Sequence, residues 1–389
     1  MEHLTEYRLE ELLEYEQPTA YIVSSTDYSD NYKTPVLTAG KSFILGYTNE
    51  TAGIFDRLPV IIFDDFTTAI QYVNFPFKVK SSAMKILHIN KDLVHPKYIF
   101  YRMQVIQFDH STHKRYWIQQ YSKIKVKIPP LPEQERIVAR IEELFSELDK
   151  AVETLNTTKQ QLAVYRQAVL KEAFDVATDE KNESPCMYSI ERLLATDRKG
   201  MATGPFGTML KKQEHQRHGV PVLGIENIGQ GKFIDGNKIF VTPQKAKELK
   251  GFILHEGDII ISRSGTVGEI CAVPQRMEGA LLSTNLMRVS LNNQIIRSDY
   301  FTYLFQSKGV VFDQVKELCK GSTRIFLNQS ILKQIQFPVP SLERQSEIVS
   351  VIESRLSVCD SIDQSINSTF QQAEALRQSI LKQAFEGRL

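Results

Sequence analysis

Residues 124–175 read IKVKIPPLPEQERIVARIEELFSELDKAVETLNTTKQQLAVYRQAVLKEAFD, and residues 335–386 repeat this stretch as IQFPVPSLERQSEIVSVIESRLSVCDSIDQSINSTFQQAEALRQSILKQAFE. The two stretches align without a gap at an offset of 211 residues, and 20 of the 52 aligned positions are identical. An ungapped match of this length and identity is not expected by chance. The chain therefore uses one unit twice.

Each repeated stretch predicts one long α-helix. Prolines at its start, such as Pro129 and Pro340, suit a loop that leads into a first helical turn. Neither proline nor glycine interrupts residues 133–175 or 341–386. At about 1.5 Å of rise per residue, the helix from Pro132 to Phe174 spans about 65 Å.

Apolar residues recur along both helices at steps that are typical of a narrow coiled-coil seam. The first seam is Ile137, Ile141, Leu144, Leu148, Val152, Leu155, Leu162, Tyr165 and Val169, and the second is Ile348, Ile352, Cys359, Ile366, Leu376 and Ile380. Arg355 and Asp363 interrupt the second seam. We expect the two helices to form an antiparallel coiled coil. The alternative, that each packs on a separate core, fits less well because ordinary helices average about 11–12 residues.

The sequence before each helix predicts a mainly β globular domain with small helices. Short apolar runs alternate there with glycine, proline and asparagine, and the runs follow the same order twice. The matching features are Pro35–Leu37 and Pro221–Leu223, the polar loops 64–68 and 262–266, and the strands 81–86 and 283–289. The expected fold is α+β and pseudo-two-fold symmetric, with domains at residues 1–123 and 186–334 and helical spacers at 124–185 and 335–389.

Composition excludes several classes of protein. The 389 residues contain 42% hydrophobic and 24% charged residues and carry a net charge of +1, which is typical of two or three globular domains. The four cysteines form no C-x-x-C pair, which argues against a zinc knuckle or a dense disulfide framework. No apolar run approaches the roughly 18–20 residues of a membrane span. A signal peptide would carry positive charge near its N-terminus, whereas this sequence has Glu2, Glu6, Glu10 and Glu11 there. We expect a cytoplasmic protein without a membrane partner.

Two dissimilar domains on a rigid helical spacer match an asymmetric, bipartite DNA site. A helix pair of this length corresponds to roughly fifteen to twenty base pairs. The second domain carries seven more basic than acidic residues, whereas the first carries one more acidic than basic residue. Local positive charge in the first domain is expected from Lys78, Lys80 and Lys85 and from residues 113–115.

The repeated stretch resembles the conserved regions of type I restriction–modification specificity subunits. The resemblance rests on Pro129, Gln134 and Ile137-Val138, on Arg166–Phe174, and on their copies 211 residues later. The two domains resemble the target recognition domains of that family, and the stretches that carry this likeness are residues 35–41, 45–50, 60–68, 80–85, 204–207, 257–265 and 321–323.

The resemblance implies a non-catalytic subunit that reads double-stranded DNA. Its partners would be two methyltransferase subunits and, in the full complex, two restriction subunits. No cofactor is expected on this chain, because S-adenosylmethionine would belong to the methyltransferase partner and ATP with Mg²⁺ to the restriction partner. We expect the outer faces of the helices, including Arg136 and Glu142, to contact those partners.

Candidate DNA contacts are polar and basic residues in loops between strands, since Arg and Lys read guanine, Asn reads adenine, and Ser and Thr serve either base. Ser111-Thr112 and Ser322-Thr323 stand out because both copies keep them just before the spacer. The candidates in the first domain are Thr38, Lys41, Thr67, Thr68, Lys80, Ser81, Ser82, Ser111, Thr112, Lys114 and Arg115. Those in the second are Lys199, Lys211, Lys212, Arg217, Asn227, Arg263, Ser264, Thr266, Asn285, Ser322, Thr323 and Arg324. Trp117 is expected in the core.

Two alternative functions stay open on the sequence. Asn74-Phe-Pro-Phe77 resembles a loop of adenine-N6 methyltransferases, although no glycine-rich turn precedes it. Asp64-Asp65 could form a metal-binding or acid–base pair, but such residues at a strand end more often cap their own backbone or accept from a cytosine amino group. Residues 229–232 are too short for a phosphate-binding loop. A coiled-coil scaffold that binds only proteins is the other alternative.

Overall fold

The computed structural model describes residues 4–38, 42–109, 116–175, 185–229, 231–263, 269–307, 309–318 and 327–389. The chain forms two compact units. Unit 1 consists of Met1–Asn156 and Asn367–Leu389, and unit 2 consists of Thr157–Ile366. Each unit therefore contains one mainly β domain together with a part of each long helix.

The β domain of unit 1 is built from short strands and small helices. Its elements are β1 (Thr5–Arg8), α1 (Leu9–Leu12), β2 (Leu13–Glu16), β3 (Thr34–Leu37), β4 (Ile44–Thr48), β5 (Val60–Asp64), β6 (Ile70–Val73), β7 (Lys78–Val79), β8 (Met84–Ile89), α2 (Pro96–Gln104), α3 (Tyr116–Gln119) and β9 (Lys125–Ile128). The long helix α4 (Leu131–Asp175) follows and continues into unit 2.

The β domain of unit 2 follows the same plan. Its elements are β10 (Cys186–Ser189), α5 (Ile190–Leu193), β11 (Met201–Thr203), β12 (Val220–Leu223), β13 (Ile239–Val241), α6 (Pro243–Glu248), β14 (Ile259–Ser262), β15 (Ile270–Ala272), β16 (Leu281–Leu282), β17 (Leu286–Val289), α7 (Ser298–Gln306), α8 (Val310–Leu318), α9 (Gln329–Gln334) and β18 (Gln336–Val339). The second long helix, α10 (Leu342–Phe385), returns to unit 1.

The two β domains have one topology. The strand order β2-β8-β5-β6 in unit 1 corresponds to β11-β17-β14-β15 in unit 2, and β4-β3-β7 corresponds to β13-β12-β16. The pairs β3·β7 and β12·β16 are parallel, whereas the other strand pairs are antiparallel. The shared order of features predicted from the sequence is therefore confirmed, and the expected α+β class with it.

Both predicted long helices are confirmed. The structure begins α4 one residue before Pro132 and ends it one residue after Phe174. The residues before the prolines are strands, because β9 pairs with β1 and β18 pairs with β10. The first residues of each predicted spacer thus form a two-stranded sheet with the first strand of the preceding β domain before the helix begins.

The two helices run antiparallel within each unit. In unit 1 the first turns of α4 share a core with the last turns of α10, through Ile141 and Leu381. In unit 2 the last turns of α4 share a core with the first turns of α10, through Leu170 and Ile352. A parallel pair would join the two first turns instead, so the antiparallel prediction is confirmed.

The predicted seams are correct in part. Ile137, Leu162 and Val169 are buried, whereas Tyr165 and Leu376 are each 51% exposed, so their assignment to the seam was wrong. Near the helix ends, neighbouring residues are buried in pairs, as in Ile137-Val138, Val169-Leu170 and Ile380-Leu381. The buried face is wider there because each helix end packs on a β domain as well as on the other helix. The residues that interrupt the second seam form ion pairs with α4, Arg355 with Glu172 at 2.7 Å and Asp363 with Lys159 at 4.0 Å.

The remaining structural expectations concern single residues. Trp117 is 2% exposed and its ring lies 5.1 Å from that of Phe63, which confirms it as a core residue. Within the described ranges, Cys186, Cys271 and Cys359 are free thiols. No helix among the described residues is long and apolar enough to cross a membrane.

Candidate nucleic-acid interface

Several strand ends meet at one edge of the β domain in unit 1. The last residue of β5 pairs with the first residue of β8, and the end of β3 pairs with the end of β7. The N–H of Lys80 donates to the carbonyl of Leu37 (3.0 Å), and that of Asp65 donates to Ala83 (3.2 Å). These bonds bring together residues 38, 64–69 and 80–83, which we call the first edge.

The first edge collects six of the predicted DNA contacts, namely Thr38, Thr67, Thr68, Lys80, Ser81 and Ser82. Of these, Thr67, Lys80 and Ser82 are exposed. The Oδ1 atom of Asp64 accepts from the N–H groups of Phe66 (2.8 Å) and Thr67 (3.0 Å) and so holds the loop in a tight turn. Thr68 has a left-handed backbone with φ of 56°, a conformation that is costly for a β-branched residue and is found most often at functional sites.

Two lysines of the predicted basic cluster are buried. The Nζ atom of Lys78 lies 2.9 Å from a carboxylate oxygen of Glu50, and its hydrogen bond holds the pKa of Glu50 below its usual value. The Nζ atom of Lys85 lies 3.6 Å from Asp65 and 2.7 Å from Oε1 of Gln17. The prediction that these lysines attract phosphate was wrong, because they neutralise carboxylates inside the domain. Lys80 is exposed, so for this residue the expectation stays a prediction.

Asp64 and Asp65 serve the backbone, as the strand-end interpretation predicted. Asp65 is 1% exposed, and its Oδ1 atom accepts from the N–H of Trp117 at 2.9 Å. The carbonyl of Asp65 also accepts from the N–H of Tyr116 at 3.0 Å. The two carboxylates therefore do not face a common substrate position as an acid–base pair would.

Unit 2 has an equivalent edge, which we call the second edge, at residues 203–204, 263 and 283–285. The N–H of Arg263 donates to Asn285 (3.0 Å), and that of Ser283 donates to Leu223 (3.0 Å). Gly204 packs so closely here that an added Cβ would lie 1.8 Å from the carbonyl oxygen of Ser283. Only glycine permits this approach.

Arg263 and Asn285 are the predicted contacts that lie on the second edge. Arg263 is half-buried, its Nη1 atom donates to the carbonyl of Thr284 at 3.4 Å, and burial lowers its pKa. Asn285 is exposed. Together they present the two side-chain types that read guanine and adenine.

Asn227 has a structural role in the described fold. It is fully buried, its Oδ1 atom accepts from the N–H of Gly224 (2.9 Å), and its Nδ2 atom donates to Ile234 (3.0 Å). An amide committed to backbone groups on both sides has nothing left to offer a base. We therefore leave Asn227 out of the interface.

Two of the other basic candidates of unit 2 precede strands whose opposite ends lie at the second edge. Lys199 precedes β11, whose opposite end carries Thr203, and Arg217 precedes the start of β12. Lys211 and Lys212 lie before β12 as well, and all four side chains are exposed. The remaining candidates lie outside the described residues: Lys41, Ser111, Thr112, Lys114, Arg115, Ser264, Thr266, Ser322, Thr323 and Arg324.

Two exposed phenylalanines were missed by sequence reasoning. Phe66 lies on the first edge and is 56% exposed, and Phe206 follows Gly204 of the second edge and is 74% exposed. An isolated exposed apolar residue is ordinary, but these two stand beside the polar candidates of each unit. The available signal was a phenylalanine set among turn-forming residues, Asp64-Asp65 in one case and Gly-Pro-Phe-Gly in the other.

The described geometry offers little support for the alternative functions. Phe77 of the methyltransferase-like stretch is fully buried and bridges to Phe55 in the core. Lys232 of the short glycine loop forms an ion pair with Asp360. Of the residues predicted to face partner subunits, Glu142 forms an ion pair with Lys97 of α2, and Arg136 is exposed and pairs with Glu133. Their contact with partners stays a prediction.

Comparisons with known proteins find a matching family, similar sequences and a similar fold. The sequence matches the family described as "Type I restriction modification DNA specificity domain" over residues 1–162 and 206–370. It is 31% identical to the EcoR124I/EcoR124II specificity subunit of Escherichia coli over 92% of this chain and 88% of that one. It is 25% identical to the EcoKI specificity subunit of Escherichia coli K12 over 69% of this chain and 58% of that one. A solved chain from work on assembly of the type I R-M system shares the fold, with a TM-score of 0.69 at 17% identity, over 100% of this chain and 99% of that one.

Proposed function

Because the chain belongs to the family of type I restriction modification DNA specificity subunits, we propose that it reads an asymmetric bipartite DNA site, one half with each β domain. The observation that supports this most directly is the pair of matching edges. Both β domains have the same topology, and at equivalent strand ends each domain presents loops with different side chains. The first edge offers Lys80 with hydroxyl groups, and the second offers Arg263 with Asn285.

Base readout would use these side chains in the following way. Arg263 can donate two hydrogen bonds to a guanine, and Asn285 can both donate to and accept from an adenine. Lys80 and the exposed hydroxyls of the first edge suit phosphate contacts and less selective base contacts. Phe66 and Phe206 would lie against base edges or thymine methyl groups, where apolar side chains add to recognition.

The long helices would set the distance between the half-sites. The helix α4 contains 45 residues and α10 contains 44, so each is about 65 Å long. That length corresponds to roughly fifteen to twenty base pairs. The exposed helix faces, including Arg136, would bind two methyltransferase subunits and, in the full complex, two restriction subunits.

Catalysis would then belong to the partners. The methyltransferase subunits would bind S-adenosylmethionine and modify an adenine, and the restriction subunits would use ATP and Mg²⁺ against foreign DNA. This chain would bind no cofactor and would act in the cytoplasm on double-stranded DNA.

Exchange of one β domain tests the proposal. The chain is assembled with its methyltransferase subunits, either domain is replaced by that of a specificity subunit with another target, and the methylated sites of the host DNA are sequenced. We expect one half-site to change while the other half-site and the spacing stay the same. Simultaneous change of both halves would contradict the two-reader proposal. Methylation without any sequence preference would instead indicate a protein-only scaffold, and binding of S-adenosylmethionine by the isolated chain would indicate a methyltransferase.

A further inference from the structure

A glutamine at the start of each long helix is buried against the domain that precedes it. In α4, Gln134 is 1% exposed. Its Oε1 atom accepts from the N–H of His95 (2.7 Å), and its Nε2 atom donates to the carbonyls of Leu93 (3.2 Å) and Pro129 (2.8 Å). The side-chain amide thus ties the first turn of α4 to the loop that leads into α2.

The same arrangement recurs in unit 2. Gln345 of α10 is fully buried. Its Oε1 atom accepts from the N–H of Arg297 (2.9 Å), and its Nε2 atom donates to the carbonyls of Ile295 (2.9 Å) and Pro340 (2.9 Å). Like His95 before α2, Arg297 directly precedes a domain helix, α7. The two domains have different loops, but each is joined to its long helix by the same set of three hydrogen bonds.

The chemistry of the joint requires glutamine. One planar amide must accept one bond and donate two, and each partner is a backbone group that burial cuts off from water. Glutamate lacks the two donors, methionine lacks all three groups, and asparagine is shorter by one methylene. Because hydrogen bonds are directional, the three bonds fix an angle as well as a contact.

The joint also involves the end of the other long helix. The ring of Tyr98, in α2, lies 5.3 Å from the ring of Phe385 at the end of α10. The ring of Tyr300, in α7, lies 5.5 Å from the ring of Phe174 at the end of α4. In each unit, the domain helix that the glutamine anchors therefore also packs on the returning helix. The glutamine bonds and the aromatic pair hold three elements in one arrangement.

We propose that Gln134 and Gln345 are positioning residues that fix the angle between each reading domain and the long helices, and thereby set how strictly the subunit measures the distance between its half-sites. This inference rests on the proposed function. Neither side chain touches DNA in this mechanism, so the bases preferred in each half-site are independent of the joint.

The test uses Gln134→Met and Gln345→Met, which keep the size of the side chain but remove its hydrogen bonds. Each variant is assembled with the methyltransferase subunits and given a DNA library that carries both half-sites at the native spacing and at spacings one base pair shorter and longer. We expect the preference for the native spacing to fall at least about fivefold, since a buried joint that loses its bonds populates other angles. Base preferences within each half-site should stay those of the wild type. Gln160→Met, an exposed change on the same helix, should alter neither property.

Several outcomes would overturn the inference. Unchanged spacing selectivity in both methionine variants would do so, and so would an equal loss of methylation at all spacings together with loss of base preference, which would indicate a general folding role. If circular dichroism shows that a methionine variant does not fold, Gln134→Asn and Gln345→Asn are measured instead. Their amide is shorter by one methylene, so we expect them to lose the spacing preference as well. A wild-type complex that shows no bipartite target would contradict the proposed function itself, whereas a bipartite wild type with strictly spaced variants would contradict only the joint.

Discussion

The two β domains contain sheets of the same strand order, but the first edge and the second edge are stabilised in different ways. Beneath the first edge, Lys85 is 1% exposed and contacts both the carboxylate of Asp65 and the carbonyl of Ser82 (3.1 Å). At the second edge, Gly204 brings its backbone close to that of Ser283. One edge is stabilised by a buried ion pair and the other by close backbone contact.

This difference indicates which part of the domain is free to change. The strand order and the joint to the helix are the same in both units, whereas charge, loop length and edge chemistry differ. Two domains with one topology therefore carry different net charges, −1 in the first domain and +7 in the second. We infer that the topology presents a surface whose chemistry can vary while the sheets stay intact.

The largest expected effect follows from the buried ion pair. Lys85→Ala leaves the Asp65 carboxylate buried without its cation, and removal of one partner from such a pair costs about 3–5 kcal/mol. We expect the free energy of opening of unit 1 to fall by that amount, measured by native-state hydrogen exchange of the β5 and β8 amides. Lys80→Ala, an exposed change on the same edge, should stay within about 0.5 kcal/mol.

Unit 2 supplies an internal control for that measurement. Cys271 is buried on β15, and burial raises the pKa of its thiol to about 12. Only the thiolate reacts with alkylating agents, so labelling near pH 8 requires unit 2 to open. The labelling rate of Cys271 should be the same in Lys85→Ala as in the wild type. Faster labelling would show that the two units do not open independently and would break the comparison.

The second expected effect is on recognition. Arg263→Ala removes the one arginine that the described part of the second edge presents, and loss of an arginine contact to guanine costs about 1–3 kcal/mol of discrimination. Sequencing of methylated sites should show relaxed preference at one position of a single half-site. An exposed arginine away from the edge, Arg217, offers the matched control, and Arg217→Ala should leave the recognised sequence unchanged. Relaxation in both half-sites would mean that the edges do not read DNA separately.

The sequence predicted the repeat-derived features well. Helical periodicity and the absence of glycine and proline placed α4 within one residue at each end, and matched apolar runs predicted that the same order of features along the chain occurs in both domains. These features depend on local pattern, which a sequence contains. The same pattern identified the family through Gln134 and Ile137-Val138, although it did not reveal that Gln134 is a buried joint.

The failures concern residues whose burial or exposure the local sequence pattern does not reveal. Lys85 was expected to face phosphate, but its acceptor Gln17 lies 68 residues away along the chain. Asn227 satisfies the backbone of its own loop, which composition does not distinguish from an exposed reading residue. Tyr165 fits the heptad spacing but is 51% exposed, whereas Leu162 and Val169 of the same helix are buried. Burial set by tertiary contacts decided each of these positions.

The smallest expected effect compares matching ion pairs between the long helices. Arg377 pairs with Asp149 in unit 1, and Arg166 pairs with Asp360 at 2.7 Å in unit 2. The two arginines occupy equivalent positions of the repeat, and so do the two aspartates. The guanidinium of Arg377 also lies 4.4 Å from the ring centre of Phe145, whereas the repeat places Leu356 at the corresponding position.

Arg377→Ala should therefore cost more than Arg166→Ala. Partly exposed ion pairs contribute about 0.2–1 kcal/mol, and a cation–π contact adds about 0.5–1 kcal/mol. We expect a difference of about 0.5–1 kcal/mol between the two variants, measured as the change in hydrogen-exchange protection of the helix amides in each unit. High salt screens the ion pairs but weakens the ring contact less, so the difference should persist at 1 M salt. Equal losses at both salt concentrations would mean that Phe145 contributes nothing to the pairing.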